Sequence, residues 1–349
     1  MVTTSRGAYR RAVHPSRPYP VMRLFGCLAL ACALGCTGPD VPRSAAASDA
    51  STTVTGLQLP TGKDVLPGTQ ALMAACAVGT WSACDRVALR YGAVTPPRWR
   101  LAARFWRYGC RGGHGESCWR LGALSAQGQG VKKDAREGCR LQKVACDLGH
   151  PGGCAEYGVH LLRGSGCDAD PEHAFEVSRR ACSEGHGLAC KNVGLLHREG
   201  RGTLKDPVKA VAALEKSCAR EHGDGCTQLG IMKYAGLGGA ADLVAARLSF
   251  ERACTLGAAR GCGNAAGMYL RGVGVAKHAG KALRFAEKAC GAKDAVGCYN
   301  LGLIHRYRAD GLTDGDAARK AFEEACRQAH SQACDEYRKT VEGAAPSGP

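Results

Sequence analysis

Cysteine and histidine are the two residue types in this 349-residue chain whose number and spacing could do chemistry. Eight cysteine pairs stand eight residues apart: Cys76 and Cys84, Cys110 and Cys118, Cys146 and Cys154, Cys182 and Cys190, Cys218 and Cys226, Cys254 and Cys262, Cys290 and Cys298, Cys326 and Cys334. Thiols can bind zinc, act as nucleophiles or close disulfides. No Cys-x-x-Cys is present, so the usual zinc and redox spacings are missing and a covalent framework is the expectation. Histidine follows the first cysteine by four residues at His114, His150, His186, His222 and His330, like a ladder of metal ligands. Stacked helical units stand ~10 Å apart, too far for neighbours to share an ion held at ~2.1 Å. These histidines therefore read as turn residues that satisfy helix ends.

Other candidate chemistry dissolves in the same way. Asp134, Asp170, Asp206, Asp242 and Asp314 follow the second cysteine by sixteen residues and invite a paired-carboxylate reading. Pro171 and Pro207 come directly after two of them, the pattern of an N-cap followed by a proline that opens a helix. Ser82, Ser117, Ser125 and Ser331 have no lysine three residues on, and HExxH, CxxCH, GxxxxGK[ST] and GxSxG motifs are absent. No catalytic residue, metal ligand or cofactor is expected.

What must position these residues is a repeat. From Cys110 to Cys326 the first cysteine of each pair recurs every 36 residues, the period of helical-hairpin solenoids. A Leu-Gly-like pair follows the second cysteine (Leu121-Gly122, Tyr157-Gly158, Val193-Gly194, Leu229-Gly230, Leu301-Gly302), then loop glycines such as Gly164 and Gly166. The first glycine allows two helices to approach, and the later pair ends the first helix. Alanine eight residues before the next cysteine (Ala174, Ala210, Ala246, Ala282, Ala318) gives the second helix a small-residue face. The predicted fold class is all-α, an α/α superhelix in which each disulfide ties one unit's second helix to the next unit's first. By loop entropy each such bridge stabilises by roughly 2.6 kcal/mol. The terminal units depart from the pattern, Pro96 and Pro97 interrupting the first and the last stopping after one helix. Of the inner units, Ala266 takes the first-helix glycine position in one with Gly267 displaced by one, and Arg308 and Asp310 replace both loop glycines of another.

Two cysteines lie outside the pairs. Cys139 sits two helical turns before Cys146, and Cys167 occupies a hairpin turn. Antiparallel helices would bring them to one end, predicting a ninth bridge; two free thiols are the competing reading.

The remaining cysteines belong to an address. From Met22, MRLFGCLALACALGC reads as an export signal ending at Cys36, a candidate for lipidation, with ordinary cleavage as the alternative. Residues 1–35 are assigned to the signal, with Met22 as the start, and residues 36–66 to a flexible linker. Residues 67–343 are assigned to the solenoid and 344–349 to a tail. No apolar run reaches the ~18–20 residues of a membrane span, so any membrane attachment is through a lipid anchor only. The formal charge of +16 falls to +11 without the five arginines of the first 35 residues. Spread along an aromatic-poor array, that charge does not indicate nucleic-acid binding.

The Cys-x7-Cys pairs on a 36-residue period with L-G-x5-G-x-G resemble the Sel1-like repeats, relatives of tetratricopeptide repeats, and in particular the secreted cysteine-rich Sel1 proteins of Helicobacter. The resemblance covers about residues 70–340. It implies an exported scaffold, expected to be monomeric, in the periplasm, at the cell surface or secreted, that binds peptide or protein segments on a concave face. Asn192, Gln228, Asn264 and Asn300 follow the second cysteine by two residues; such amides can pair with a peptide backbone, and the competing reading is that polar residues simply suit a solvated first turn. Arg198 and Arg271, further along the same helices, would favour acidic partners. The resemblance also implies an alternative, a penicillin-binding protein or weak β-lactamase, without an SxxK or KTG motif to support it.

Overall fold

The protein is described by a computed structural model covering residues 57–307 and 314–342. The signal, Cys36, Arg308, Asp310 and the C-terminal tail lie outside the described residues. Among those described there are sixteen α-helices and no strand. The first helices of the hairpins are α2 (Trp81–Ala93), α4 (Gly115–Gln127), α6 (Pro151–Arg163), α8 (Gly187–Glu199), α10 (Gly223–Ala235), α12 (Ala259–Arg271) and α14 (Ala295–Arg306). Their second helices are α3 (Trp99–Arg111), α5 (Ala135–Asp147), α7 (Pro171–Ser183), α9 (Pro207–Ala219), α11 (Leu243–Thr255), α13 (Ala279–Gly291) and α15 (Gly315–Arg327). Single helices α1 (Gln70–Ala77) and α16 (Ser331–Glu342) stand at the two ends.

One hairpin shows how the sequence starts and stops each helix. His150 caps α6, its Nδ1 accepting from the Gly153 N–H at 3.0 Å, and Pro151 occupies the first turn. The helix ends at Gly164, whose φ of 63° is the left-handed conformation that favours glycine. Two residues on, a side chain on Gly166 would collide with the Ala135 carbonyl at the start of α5, so this glycine also seats each turn on the preceding unit. Asp170 then caps α7, its carboxylate accepting from the His173 N–H at 2.9 Å, with Pro171 behind it. Asp134, Asp206, Asp242 and Asp314 cap their helices in the same way, and His278 does so for α13.

Small residues set how closely the two helices meet. Ala174, Ala210, Ala246 and Ala282 are fully buried. A Cβ on Gly230 would stand 2.5 Å from the Phe250 ring, and one on Gly302 the same distance from Phe322. Ala266 is accommodated because Ala286, in its core cluster, occupies the place that phenylalanine takes in those two units. At the turn between units, the Cα atoms of Cys146 and Cys154 are 4.3 Å apart, and the other pairs spaced by eight lie within 4.8 Å. That approach needs a small residue before the second cysteine as well as before the first. Gly153 faces Ala145, Gly261 faces Ala253 and Gly297 faces Ala289, each too close for a further methyl group. Cys139 and Cys167 are also bonded, with Cα atoms 6.1 Å apart.

Successive first helices touch one another along the array, α4 to α6 through α12 to α14, and successive second helices make no comparable contact. The array therefore curves with the first helices inside. Residues 57–66, assigned to the linker on composition, pack against the first hairpin instead. Leu57, Val65 and Leu66 lie on its core, and the Tyr91 hydroxyl donates to the Asp64 carbonyl at 2.8 Å. The apolar spacing Leu57, Leu59, Val65, Leu66 is too irregular for a helix or strand, which is why composition read it as tether.

Two outcomes follow from these bridges and caps. Replacing Cys139 and Cys167 by serine removes a bridge with a sequence separation of 28, longer than the separation of 8 at Cys182–Cys190. The expected loss is about 3.5 kcal/mol, against about 2.6 kcal/mol for Cys182→Ser/Cys190→Ser. Denaturant melts of oxidised protein check the order, and equal losses would contradict it. The second concerns the histidine caps. Burial, with Lys191 and His186 nearby, lowers the pKa of His222 below 6.5, and burial with His150 nearby lowers that of His186. Neutral His222 accepts the Gly225 N–H at 3.1 Å, which protonation of Nδ1 forbids. Because the folded-state value is depressed, this stabilisation is complete above the unfolded value and is lost as pH falls through it toward the folded one. The melting temperature should therefore drop below pH ~6.5, and His222→Asn, a cap without titration, should reduce the drop.

Candidate functional site

The concave face carries the amide ladder, and its four members have different surroundings. Asn192 and Asn300 are each 2% exposed. The Asn192 Nδ2 donates to the Ala155 carbonyl at 3.1 Å and the Asn300 Nδ2 to the Gly263 carbonyl at 2.9 Å. In both cases the amide crosses to the preceding first helix, so these two tie units together and are not open to a ligand, contrary to the expectation for the ladder. The physical reason is the close stacking of first helices, which leaves a carbonyl in reach before solvent is. Gln228 is engaged differently: the Arg198 guanidinium donates to its Oε1 at 2.8 Å and also binds Glu199 at 2.7 Å. Arg198 is thereby neutralised, while the Gln228 Nε2 keeps its hydrogens.

Asn264 and Arg271 are brought together. They line a cavity of about 230 Å³ between α10, α11 and α12, with Ile231, Tyr234, Ala235, Phe250 and Met268. Among the described residues neither polar side chain has a hydrogen-bonding or ion-pairing partner. The displaced glycine helps to shape this site, because a Cβ on Gly267 would stand 3.0 Å from the Arg271 guanidinium. Tyr234 is 42% exposed at the rim, and Phe250 and Met268, both nearly buried, form the floor. Apolar floor, one amide and one unpaired cation make a subsite for an apolar side chain on a chain that also carries negative charge.

The sequence reading missed the apolar part of this subsite, since Tyr234 and Met268 stand at different positions of their units. It also passed over Lys191, half-buried on α8. Burial lowers the pKa of its amine, an effect opposed by Asp224 and Glu156.

The other candidates have structural partners. His150 stacks on Trp119 with centroids 5.2 Å apart and pairs with Glu116 at 2.6 Å, and His330 stacks on Tyr299 at 4.5 Å. No three His, Cys, Asp or Glu side chains converge as metal ligands among the described residues. The Ser117 hydroxyl lies 2.9 Å from the His114 Nδ1, but Ser117 is fully buried, and the pair closes the start of α4.

Comparison with known proteins agrees with this fold. Residues 115–150, 151–186, 187–222, 223–257, 259–294 and 295–330 each match the Sel1 repeat, more than half of the chain together. Comparison with curated proteins gives no match. Among solved structures, a Sel1 repeat protein from Oxalobacter formigenes is 18% identical, with a TM-score of 0.59 over 69% of this chain and 96% of its own. A protective antigen of uropathogenic Escherichia coli displaying an SLR fold is 22% identical, with a TM-score of 0.57 over 76% of this chain. The chain spans 58% of that antigen's length. Cysteine-rich protein B of Helicobacter pylori is 24% identical over 35% of this chain and 95% of its own, with a TM-score of 0.30. Likeness at this level speaks for the fold. The disulfides indicate an oxidising, exported location, and among the described residues no helix is long and apolar enough to cross a membrane. With six matching repeats built as stacked helical hairpins, the chain belongs to the Sel1 repeat family, whose scaffolds generally serve protein interaction.

Proposed function

We propose that this chain is an exported scaffold or adaptor of the cell envelope, anchored through Cys36, that holds extended peptide or protein segments on its concave face. The observation that carries this reading is the cavity lined by Asn264, Arg271, Phe250 and Met268. Small-molecule sites span about 300–1,000 Å³, so a cavity of about 230 Å³ is small for a substrate and suits a single leucine- or phenylalanine-sized side chain. An amide offers a donor and an acceptor in one plane and can pair with both groups of a peptide unit. Asn264 does this beside the cavity, and the Gln228 Nε2 supplies a further donor on the adjacent helix. Arg271, without an acid of its own, selects segments that place a carboxylate next to the apolar residue.

Fluorescence polarisation with peptides pairing leucine or phenylalanine with glutamate tests this. Asn264→Ala and Arg271→Ala should each weaken binding about tenfold, the worth of one hydrogen bond or one exposed charge-assisted contact. Met268→Trp, which fills the floor, should abolish it. Affinities unchanged in all three variants would remove the concave cavity as the binding site.

A further inference from the structure

The first complete hairpin carries a surface that the peptide-binding reading does not use. Helix α3 holds Arg100, Arg104, Arg107 and Arg111 at spacings of four, three and four, which places them on one helical face, and it contains no acidic residue. Residues 81–111 hold seven arginines and one aspartate, a net +6 out of the +11 that remains beyond the first 35 residues. Every other second helix carries at least one glutamate. Arg100, Arg107 and Arg111 are exposed and have no carboxylate within ion-pairing distance among the described residues. Arg104 joins two depressions on this face. One, of about 820 Å³, is also lined by Lys63, Trp99 and Arg98, the last paired with Asp64 at 3.8 Å; the other, of about 220 Å³, by Gln58, Arg107 and Arg111.

We infer that this arginine face docks on the phosphate head groups of an anionic membrane surface. Position and chain length argue for that occupant over an acidic protein. The guanidinium of Arg104 donates to the Gln58 carbonyl, so the face lies where the described chain begins. Only twenty residues separate Leu57 from Cys36. Even fully extended they span about 75 Å, so anchoring at Cys36 bounds how far this end of the array can stand from the bilayer, a bound that loosens for every later unit. Arginines near an anionic surface contribute about 1 kcal/mol each. Docked through α3, the array would keep its concave face free for a partner.

The test uses the exported protein with vesicles of phosphatidylcholine alone or mixed with phosphatidylglycerol, and reads the ratio of the two affinities, which cancels any contribution from lipid or apolar insertion. Preference for the anionic vesicles is expected, declining as salt is raised. Arg100→Gln, Arg107→Gln and Arg111→Gln together should lower that ratio on the order of 100-fold. Lys205→Gln, Lys277→Gln and Arg284→Gln together should leave it intact. Should the triple arginine variant fold poorly, Arg107→Gln alone should still lower the ratio about fivefold. Equal affinity for both vesicle types, or an equal loss in the control variant, would overturn the inference. So would displacement by free glycerol phosphate at matched ionic strength, which marks a single phosphate site, or tighter binding of polyglutamate than of anionic vesicles at equal salt and equal charge concentration, which marks a protein surface. Peptide binding at Asn264 and Arg271 is measured separately, so either reading can fail alone.

Discussion

Two antiparallel helix ends can share a disulfide only if their backbones approach to within a few ångströms, and this constraint governs the rest of the molecule. At Cys146–Cys154 the Cα separation is 4.3 Å, which is possible because Gly153 meets Ala145 with no side chain between them. A bridge this tight fixes the angle at which one unit leaves and the next enters. Repeated through the array, it brings the first helices into mutual contact and produces a concave face. It also relieves the core of part of its stabilising role. Alanine-rich interfaces bury little apolar area per unit, and the covalent ties restrict the unfolded chain instead.

Within this regular frame the departures from the repeat create the site. Ala266 is matched by Ala286 across the hairpin, and the glycine moved to position 267 leaves room for the Arg271 guanidinium. Asn192 and Asn300 are used up in joining neighbouring helices, whereas Asn264, in the same register, remains open beside a cavity. One sequence position thus serves as mortar in some units and as a contact surface in another, depending on what the adjacent helix offers.

The periodic part of this architecture was legible in the sequence. Cysteine spacing, aspartate caps and loop glycines each carry a local physical requirement, and local requirements repeat visibly. Burial of Asn192 was not legible, because it depends on the distance between helices 36 residues apart in the chain. The packing of residues 57–66 was equally hidden, since it is held by backbone carbonyls accepting from Tyr91 and Arg104, and backbone groups leave no trace in composition. The cavity escaped notice for a related reason: Tyr234, Phe250 and Met268 come from three helices and from different positions of the repeat.

Covalent locality also bears on how the right bonds are chosen. Eight cysteines alone allow 105 pairings, and this array joins eighteen. A chain emerging from its N-terminal end meets each eight-residue partner almost at once, before more distant thiols exist to compete. The one nested pair, Cys139–Cys167 around Cys146–Cys154, is protected by α5 itself. Seven residues along a helix rise about 10.5 Å, beyond the ~7 Å that a disulfide can bridge, so once α5 has formed Cys139 cannot take Cys146. Helix formation thereby acts as a proofreader of oxidation.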